Sequence, residues 1–188
     1  MGMRANLPLT GRTTTTWYHS EDDIPTALTD YDIKQGTTYW YYAGSPLYPF
    51  GHGLSYSTFA YSNLTISAPS VSPTAAEGSC AAVQVGVDVS NTSAVAGDEV
   101  VQLYVAYPNS TLSADQGPRP RQQLRGFKRV HIAAGAKEHV MFTVGASDLV
   151  YYNSAGAAFT VETGAPVELQ IGASSADIRL RGTLGVVP

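Results

Sequence analysis

Short segments that alternate apolar and polar residues recur through most of this 188-residue chain. Between positions 83 and 89 every second residue is valine, a period of two that gives a strand one buried face. Turn-forming glycine, asparagine, aspartate and proline residues separate such segments at roughly ten-residue intervals. About seven or eight short strands with this spacing are typical of two packed sheets. The sequence therefore predicts an all-β sandwich over residues 59–188.

One segment is expected to be covered on both faces. In residues 99–107 apolar side chains occupy both alternating sets, so this strand should lie inside the sandwich. One set is Val101, Leu103, Val105 and Tyr107, and the other is Val100, Tyr104 and Ala106. The remaining predicted strands are 59–67, 83–89, 124–133, 137–144, 159–161, 167–171 and 178–181. A helical turn capped by Ser147 is expected between two of them.

The composition limits the classes of function. Charged residues make up only 14% of the chain and the net charge is −4, which argues against a nucleic-acid partner. A basic cluster is expected to form a solvated loop and strand face; its members are Arg119, Arg121, Arg125, Lys128 and Arg129. No apolar run approaches the ~20 residues of a membrane-spanning helix. Residues 1–4 are not followed by an apolar signal core, so no signal peptide is predicted. Cys80 is the single cysteine, which excludes an internal disulfide.

Residues 47–58, here called the elbow, combine stiff and flexible positions. Pro49 fixes its own φ, whereas Gly51 and Gly53 permit positive φ and close backbone approach. Large apolar side chains flank these positions, so the elbow is expected to pack against another surface. The predicted domain-interface residues are Tyr48, Phe50, Leu54, Tyr56 and Phe59.

The first 46 residues are expected to form an irregular extension. Glycine and proline interrupt every helical candidate, and only residues 13–18 and 37–42 have strand propensity. Such a segment either wraps over a partner or is the edge of a larger fold. Its aromatic residues Trp17, Trp40 and Tyr42 are weak candidates for sugar binding. Burial against a neighbouring domain, with both faces of a strand at 39–42 covered, is the favoured alternative.

The run Tyr48–Phe59 resembles the hallmark that opens the C-terminal fibronectin type III-like domain of glycoside hydrolase family 3. Further similar stretches are residues 9–12 with 17–18, 28–33, 36–39, 91–92, 96–105, 123–130, 148–149 and 171–175. Residues 13–15 and Thr37 depart from the family pattern, which often has Leu-Pro-Val and arginine there. The resemblance implies three parts: the tail of an α/β domain plus linker (1–46), the elbow (47–58) and a fibronectin type III-like sandwich (59–188).

The same resemblance implies that the catalytic nucleophile and acid/base belong to domains preceding this region, so no catalytic residue is predicted here. The local acids are expected to be solvated or to cap turns; they are Glu21, Asp22, Asp23, Asp30 and Asp32. His131 and His139 are expected to face each other across a hairpin without a third ligand. No metal and no cofactor are predicted.

The leading hypothesis is an accessory domain that stabilises or orients the catalytic domains of a family 3 glycoside hydrolase. By itself this domain is expected to have no catalytic activity. One alternative is a free-standing module that binds β-linked oligosaccharide or serves in adhesion. Another is a subunit that completes a separately encoded catalytic chain. Three glycosylation sequons begin at Asn63, Asn91 and Asn109.

Overall fold

The computed structural model describes residues 11–27, 29–73, 82–112 and 118–188. Cys80, and residues 9, 10 and 28 of the family-like stretches, lie outside the described residues. The described part contains ten strands: β1 (Phe59–Ile66), β2 (Ser70–Val71), β3 (Val83–Asn91), β4 (Gly97–Ala106), β5 (Gln123–Ile132), β6 (Lys137–Val144), β7 (Val150–Asn153), β8 (Ala158–Val161), β9 (Val167–Gly172) and β10 (Ile178–Val186). Its helices are one α-helical turn, α1 (Thr38–Tyr41), and the 3₁₀ helices Glu21–Asp23, Ile33–Gln35 and Ala146–Leu149.

The strands form two main sheets and a separate ribbon. One sheet has the order β1-β3-β6 and the other β2-β10-β9-β4-β5; among the described strands, β7 pairs only with β8. Every pairing is antiparallel except that of β2 with β10. The predicted all-β class is confirmed. The structure has more strands than the sequence predicted because β2 and β7 are too short to show a clear alternation.

The core lies between the two main sheets. In β3 and β6 every second residue is buried, which matches the predicted one-sided strands. Strand β4 is buried along its whole length, as the sequence predicted. Its inward face contributes Val101, Leu103 and Val105 to the core, each with no exposed surface. Tyr104, on its opposite face, is also fully buried, so another layer must cover that side.

Three local predictions are wrong. Residues 38–41 form α1 rather than a strand, because α1 directs Tyr39 onto the five-stranded sheet. His131 and His139 do not face each other, because β5 and β6 belong to different sheets. Ser147 is not a cap; Asp148 accepts the hydrogen bond from the Gly145 amide, at 2.8 Å.

Candidate functional site at the elbow

The elbow is held by hydrogen bonds to the extended segment before it. The Thr13 amide donates to the His52 carbonyl at 2.8 Å, and the Gly51 amide donates to the Thr13 carbonyl at 2.8 Å. Four residues further along, the Trp17 amide donates to the Tyr48 carbonyl at 2.9 Å. The two segments therefore support each other, although neither forms a regular strand.

Gln102 of β4 fixes the centre of the elbow to the sandwich. Its side-chain Nε2 donates to the carbonyls of Gly51, at 3.1 Å, and Ala173, at 2.6 Å. Its Oε1 accepts from the Tyr104 hydroxyl at 2.5 Å. Gly51 has φ of +80°, and a Cβ there would lie 2.2 Å from Gln102 Oε1. Glycine is therefore required both by the backbone conformation and by this close approach.

Aromatic rings complete the layer over the outer face of the five-stranded sheet. The Tyr39 ring of α1 stacks on Phe50 of the elbow with centroids 4.1 Å apart. It also meets Tyr104 of β4 edge-on at 6.0 Å. The Tyr39 hydroxyl accepts a hydrogen bond from the Leu124 amide of β5 at 3.1 Å. This layer explains why both faces of β4 are buried.

A buried charge pair makes a second connection between the extension and the sandwich. Glu99 is only 4% exposed, and its Oε1 lies 2.9 Å from Arg12 Nη2. The Tyr61 hydroxyl donates to the same carboxylate at 3.2 Å. Burial raises the pKa of Glu99, while the Arg12 charge acts against that rise. Burial and the nearby Glu99 carboxylate raise the pKa of Tyr61.

The elbow also presents apolar side chains to solvent. Leu54 and Tyr56 are 70% and 75% exposed, and Trp17 and Tyr48 are about half exposed. Trp17, Tyr48 and Leu54 line one open groove of about 610 Å³, whose remaining wall is residues 11–13 and 52–53. Apolar surface gathered in this way marks an interaction site more often than scattered exposed side chains do.

The two remaining predicted interface residues lie differently. Phe50 is half-buried and stacks on Tyr39 within this chain. Phe59 is 7% exposed and belongs to the core between the sheets. Of the predicted interface residues, Tyr48, Leu54 and Tyr56 are therefore the exposed ones.

The three sugar-binding candidates line three different grooves of the described part of the chain. Trp17 lines the groove described above, whereas Trp40 lines a second one with Tyr18 and Phe50. Tyr42 lines a third, beside Arg121 and Gln122, and meets Tyr18 edge-on at 4.9 Å.

The acids of the extension take part in local turns. Asp32 Oδ1 accepts the Lys34 amide at 3.1 Å, and Asp30 Oδ1 accepts the Asp32 amide at 2.9 Å. Asp23 accepts the Ser20 amide at 3.2 Å. Among the described residues, no group of three or more His, Cys, Asp or Glu could hold a metal ion. None of the helices in the described part has the length and apolarity needed to cross a membrane.

Comparison with known proteins agrees with this architecture. Residues 99–175 match the family model described as a fibronectin type III-like domain. The chain is 38% identical over 152 residues to probable beta-glucosidase D of Aspergillus niger, a match covering 76% of this chain and 19% of that protein. It is 38% identical over 141 residues to thermostable beta-glucosidase B of Acetivibrio thermocellus, covering 75% of this chain and 17% of that protein.

Solved structures show the same relationship. Beta-glucosidase D2-BGL from Chaetomella raphigera superposes with a TM-score of 0.81 at 32% identity, over 96% of this chain and 27% of that one. Beta-glucosidase 3B from Thermotoga neapolitana superposes with a TM-score of 0.77 at 29% identity, over 95% and 25%. The chain thus spans about one fifth of the length of the curated relatives it matches.

The fold and these matches define a fibronectin type III-like domain preceded by an aromatic-rich extension. More specifically, the chain matches the C-terminal region of β-glucosidases of glycoside hydrolase family 3. The family resemblance seen in the sequence is confirmed. In those relatives the region is part of the same chain as the rest of the enzyme.

Proposed function

We propose that this chain serves as the C-terminal accessory part of a family 3 β-glycosidase and holds catalytic domains in place. Residues 1–46 would be the end of an α/β domain with its linker, 47–58 the elbow, and 59–188 the sandwich. The observation that carries this proposal is the elbow itself, which is hydrogen-bonded to the sandwich on one side and apolar and exposed on the other. Similarity to the C-terminal region of β-glucosidases supports it.

The geometry suits a passive docking role. Gln102 and the Tyr39–Phe50 stack hold the elbow in one conformation, so a partner would not have to order it. Full burial of a side chain such as Leu54 contributes about 1.5–3 kcal/mol. Tyr48 and Tyr56 would add to this contribution if a neighbouring domain covered them as well. The partner we propose is the catalytic part of the same enzyme.

We expect no glycosidase activity from this chain alone. Retaining hydrolysis needs two carboxyl groups about 5–5.5 Å apart that flank the scissile bond. The acids in the extension instead cap turns, and Glu99 is paired with Arg12. The purified chain should release no nitrophenol from nitrophenyl β-glucoside or β-xyloside, with thermostable beta-glucosidase B assayed in parallel as the positive control. Turnover that disappears when one acid of this chain is replaced by its amide would overturn the proposal.

A second candidate function is binding of a β-linked oligosaccharide, favoured by the exposed Trp17 in the groove beside Tyr48. Stacking of a sugar on Trp17 would change its fluorescence, and Trp17→Ala would abolish the change. Titration with cello-oligosaccharides separates the two functions. If the chain has only the accessory role, the Trp17 fluorescence should show no saturable change at millimolar sugar. If it is a binding module, the fluorescence change should saturate.

The same elbow surface would serve if the catalytic domains were encoded as a separate chain. Co-purification distinguishes this arrangement, because only a separate catalytic subunit would be recovered with the tagged chain from its own cells. Recovery of such a subunit would be consistent with the accessory role. It would mean that the catalytic domains belong to a separate chain rather than to the same one.

A further inference from the structure

The three sequons lie in very different surroundings once the chain is folded. An N-linked glycan requires an asparagine whose amide faces solvent and has room for a bulky substituent. The sequence motif does not distinguish Asn63, Asn91 and Asn109, since each is followed two residues later by serine or threonine. The exposure of each asparagine and its hydrogen bonds do distinguish the three sites.

The Asn91 side chain is hydrogen-bonded to the backbone of the protein itself. It lies at the end of β3, is 2% exposed, and donates from Nδ2 to the carbonyls of Val95, at 2.8 Å, and Ile132, at 3.0 Å. Its Oδ1 accepts from the Ser93 hydroxyl at 2.6 Å. Both amide hydrogens are therefore engaged, and a glycan on Nδ2 would replace one of them. A glycan at this position is incompatible with the folded corner between β3, β4 and β5.

Asn63 points outward from the three-stranded sheet. It is exposed at a β-bulge in β1 with φ of +54°, and its Nδ2 makes one hydrogen bond, to Asp88 Oδ2 at 2.8 Å. One amide hydrogen is thus available for substitution. The elbow covers the outer face of the other sheet, so a glycan at Asn63 would extend from the opposite side of the sandwich.

Asn109 is exposed in the turn that follows β4. The turn is supported by the Ser110 amide, which donates to the Tyr107 carbonyl at 3.3 Å. The Thr111 amide donates to Glu162 at 2.7 Å, which fixes the end of the sequon. The Asn109 side chain itself makes no hydrogen bond to the described part of the chain, so a glycan there would replace no bond within that part.

We propose that, when the chain is presented to an N-glycosylation machinery, Asn63 and Asn109 are the acceptor sites and Asn91 remains unmodified in the folded chain. The donor would be a polyprenyl-diphosphate-linked oligosaccharide. Asparagine Nδ2 attacks the anomeric carbon, the bond from that carbon to the diphosphate oxygen breaks, and polyprenyl diphosphate leaves. The amide loses one proton to a base of the transferase. Because neither site borders the elbow groove, both modifications are compatible with docking of the elbow surface.

Secretion of the full chain from yeast, behind a yeast signal sequence, tests this assignment. Glycans are removed by amidase in heavy-oxygen water, which converts each former glycan site into labelled aspartate, and peptides are analysed by mass spectrometry. We expect label at positions 63 and 109 and none at 91 in folded, monomeric protein. Secreted and cell-associated protein are both analysed, so poor secretion does not remove the readout.

Single variants provide the matched controls. Asn109→Gln should lose one glycan with little change in thermal midpoint. Asn63→Gln should also lose one glycan, but with a modest fall in midpoint, because it gives up the bond to Asp88 and places glutamine at φ of +54°. Asn91→Gln should keep both glycans and lower the midpoint, because the Val95 and Ile132 carbonyls lose their donor. Label at position 91 in the folded fraction, or absence of label at 63 or 109 from both pools, would overturn the assignment for that site.

Discussion

Gly51→Ala is expected to release the elbow from the sandwich and to lower the free energy of unfolding by about 3–5 kcal/mol. The positive φ alone costs an alanine about 1–2 kcal/mol. The added Cβ would also displace Gln102, whose side chain is 2% exposed and links Gly51, Ala173 and Tyr104. Each buried polar group left without a partner costs a further 1–3 kcal/mol or so.

Chemical denaturation measures this loss, and chymotrypsin cleavage shows where it occurs. Aromatic residues within the elbow should become cleavable in the variant while the sandwich stays resistant. Gly135→Ala is the matched control, since Gly135 has φ of +69° and open space where its Cβ would be. It should cost only about 1–2 kcal/mol and leave the elbow protected. Equal effects of the two substitutions would show that Gln102 does not hold the elbow.

Arg119→Ala is expected to destabilise the fold by about 3 kcal/mol, because it leaves the buried carboxylate of Glu162 without its counter-charge. The Arg119 guanidinium lies between the rings of Tyr107 and Tyr151, 3.9 and 4.1 Å from their centroids. Its Nε is 3.4 Å from Glu162 Oε2, and both side chains are less than 8% exposed. Burial lowers the pKa of Arg119. The expectation that this arginine belongs to a solvated face is therefore wrong.

Two comparisons measure the energetic contribution of the buried Arg119–Glu162 pair. Arg181→Ala breaks an exposed pair with Glu168, at 2.6 Å, and should cost no more than about 1 kcal/mol. The double variant Arg119→Met with Glu162→Gln removes both charges. Arg119 Nε and Nη1 have no hydrogen-bond partner within the described part of the chain, so the double variant should recover much of the lost stability. Equal denaturation midpoints for Arg119→Ala and Arg181→Ala would contradict the prediction that the buried pair contributes more to stability.

The alternating pattern was sufficient to predict the sandwich because burial of one face leaves a direct period-two signal. Residues 83–89 and 137–144 show it plainly, and the two-sided burial of β4 follows from its uninterrupted apolar run. Strand β2 has only two residues, so no periodicity could reveal it.

The elements that hold the elbow depend on contacts between distant positions, which local propensity does not encode. Tyr39 becomes part of a helical turn because its ring stacks on Phe50 and its hydroxyl reaches β5. Gln102 resembles any polar residue in a strand, yet it bonds to backbone atoms 51 and 71 positions away. Arg119 pairs with Glu162 across 43 positions, so its neighbours in sequence could not indicate that it is buried.

The exposed side chains of the elbow were expected to form a domain interface, and their role there is still a proposal. Leu54 and Tyr56 are open to solvent and so are accessible to a neighbouring domain. The surface is best tested in the context of a catalytic domain.

The most direct measurement is thermal inactivation of a chimera in which this chain replaces the matching region of thermostable beta-glucosidase B. Leu54→Asp is compared with Met141→Asp, which alters an exposed side chain on β6 in the other sheet. If the elbow docks on the catalytic domains, Leu54→Asp should speed the loss of nitrophenyl β-glucosidase activity about tenfold or more, as expected for losing one buried leucine. Met141→Asp should match the unmodified chimera. Equal inactivation rates for all three chimeras would contradict the accessory role proposed for this chain.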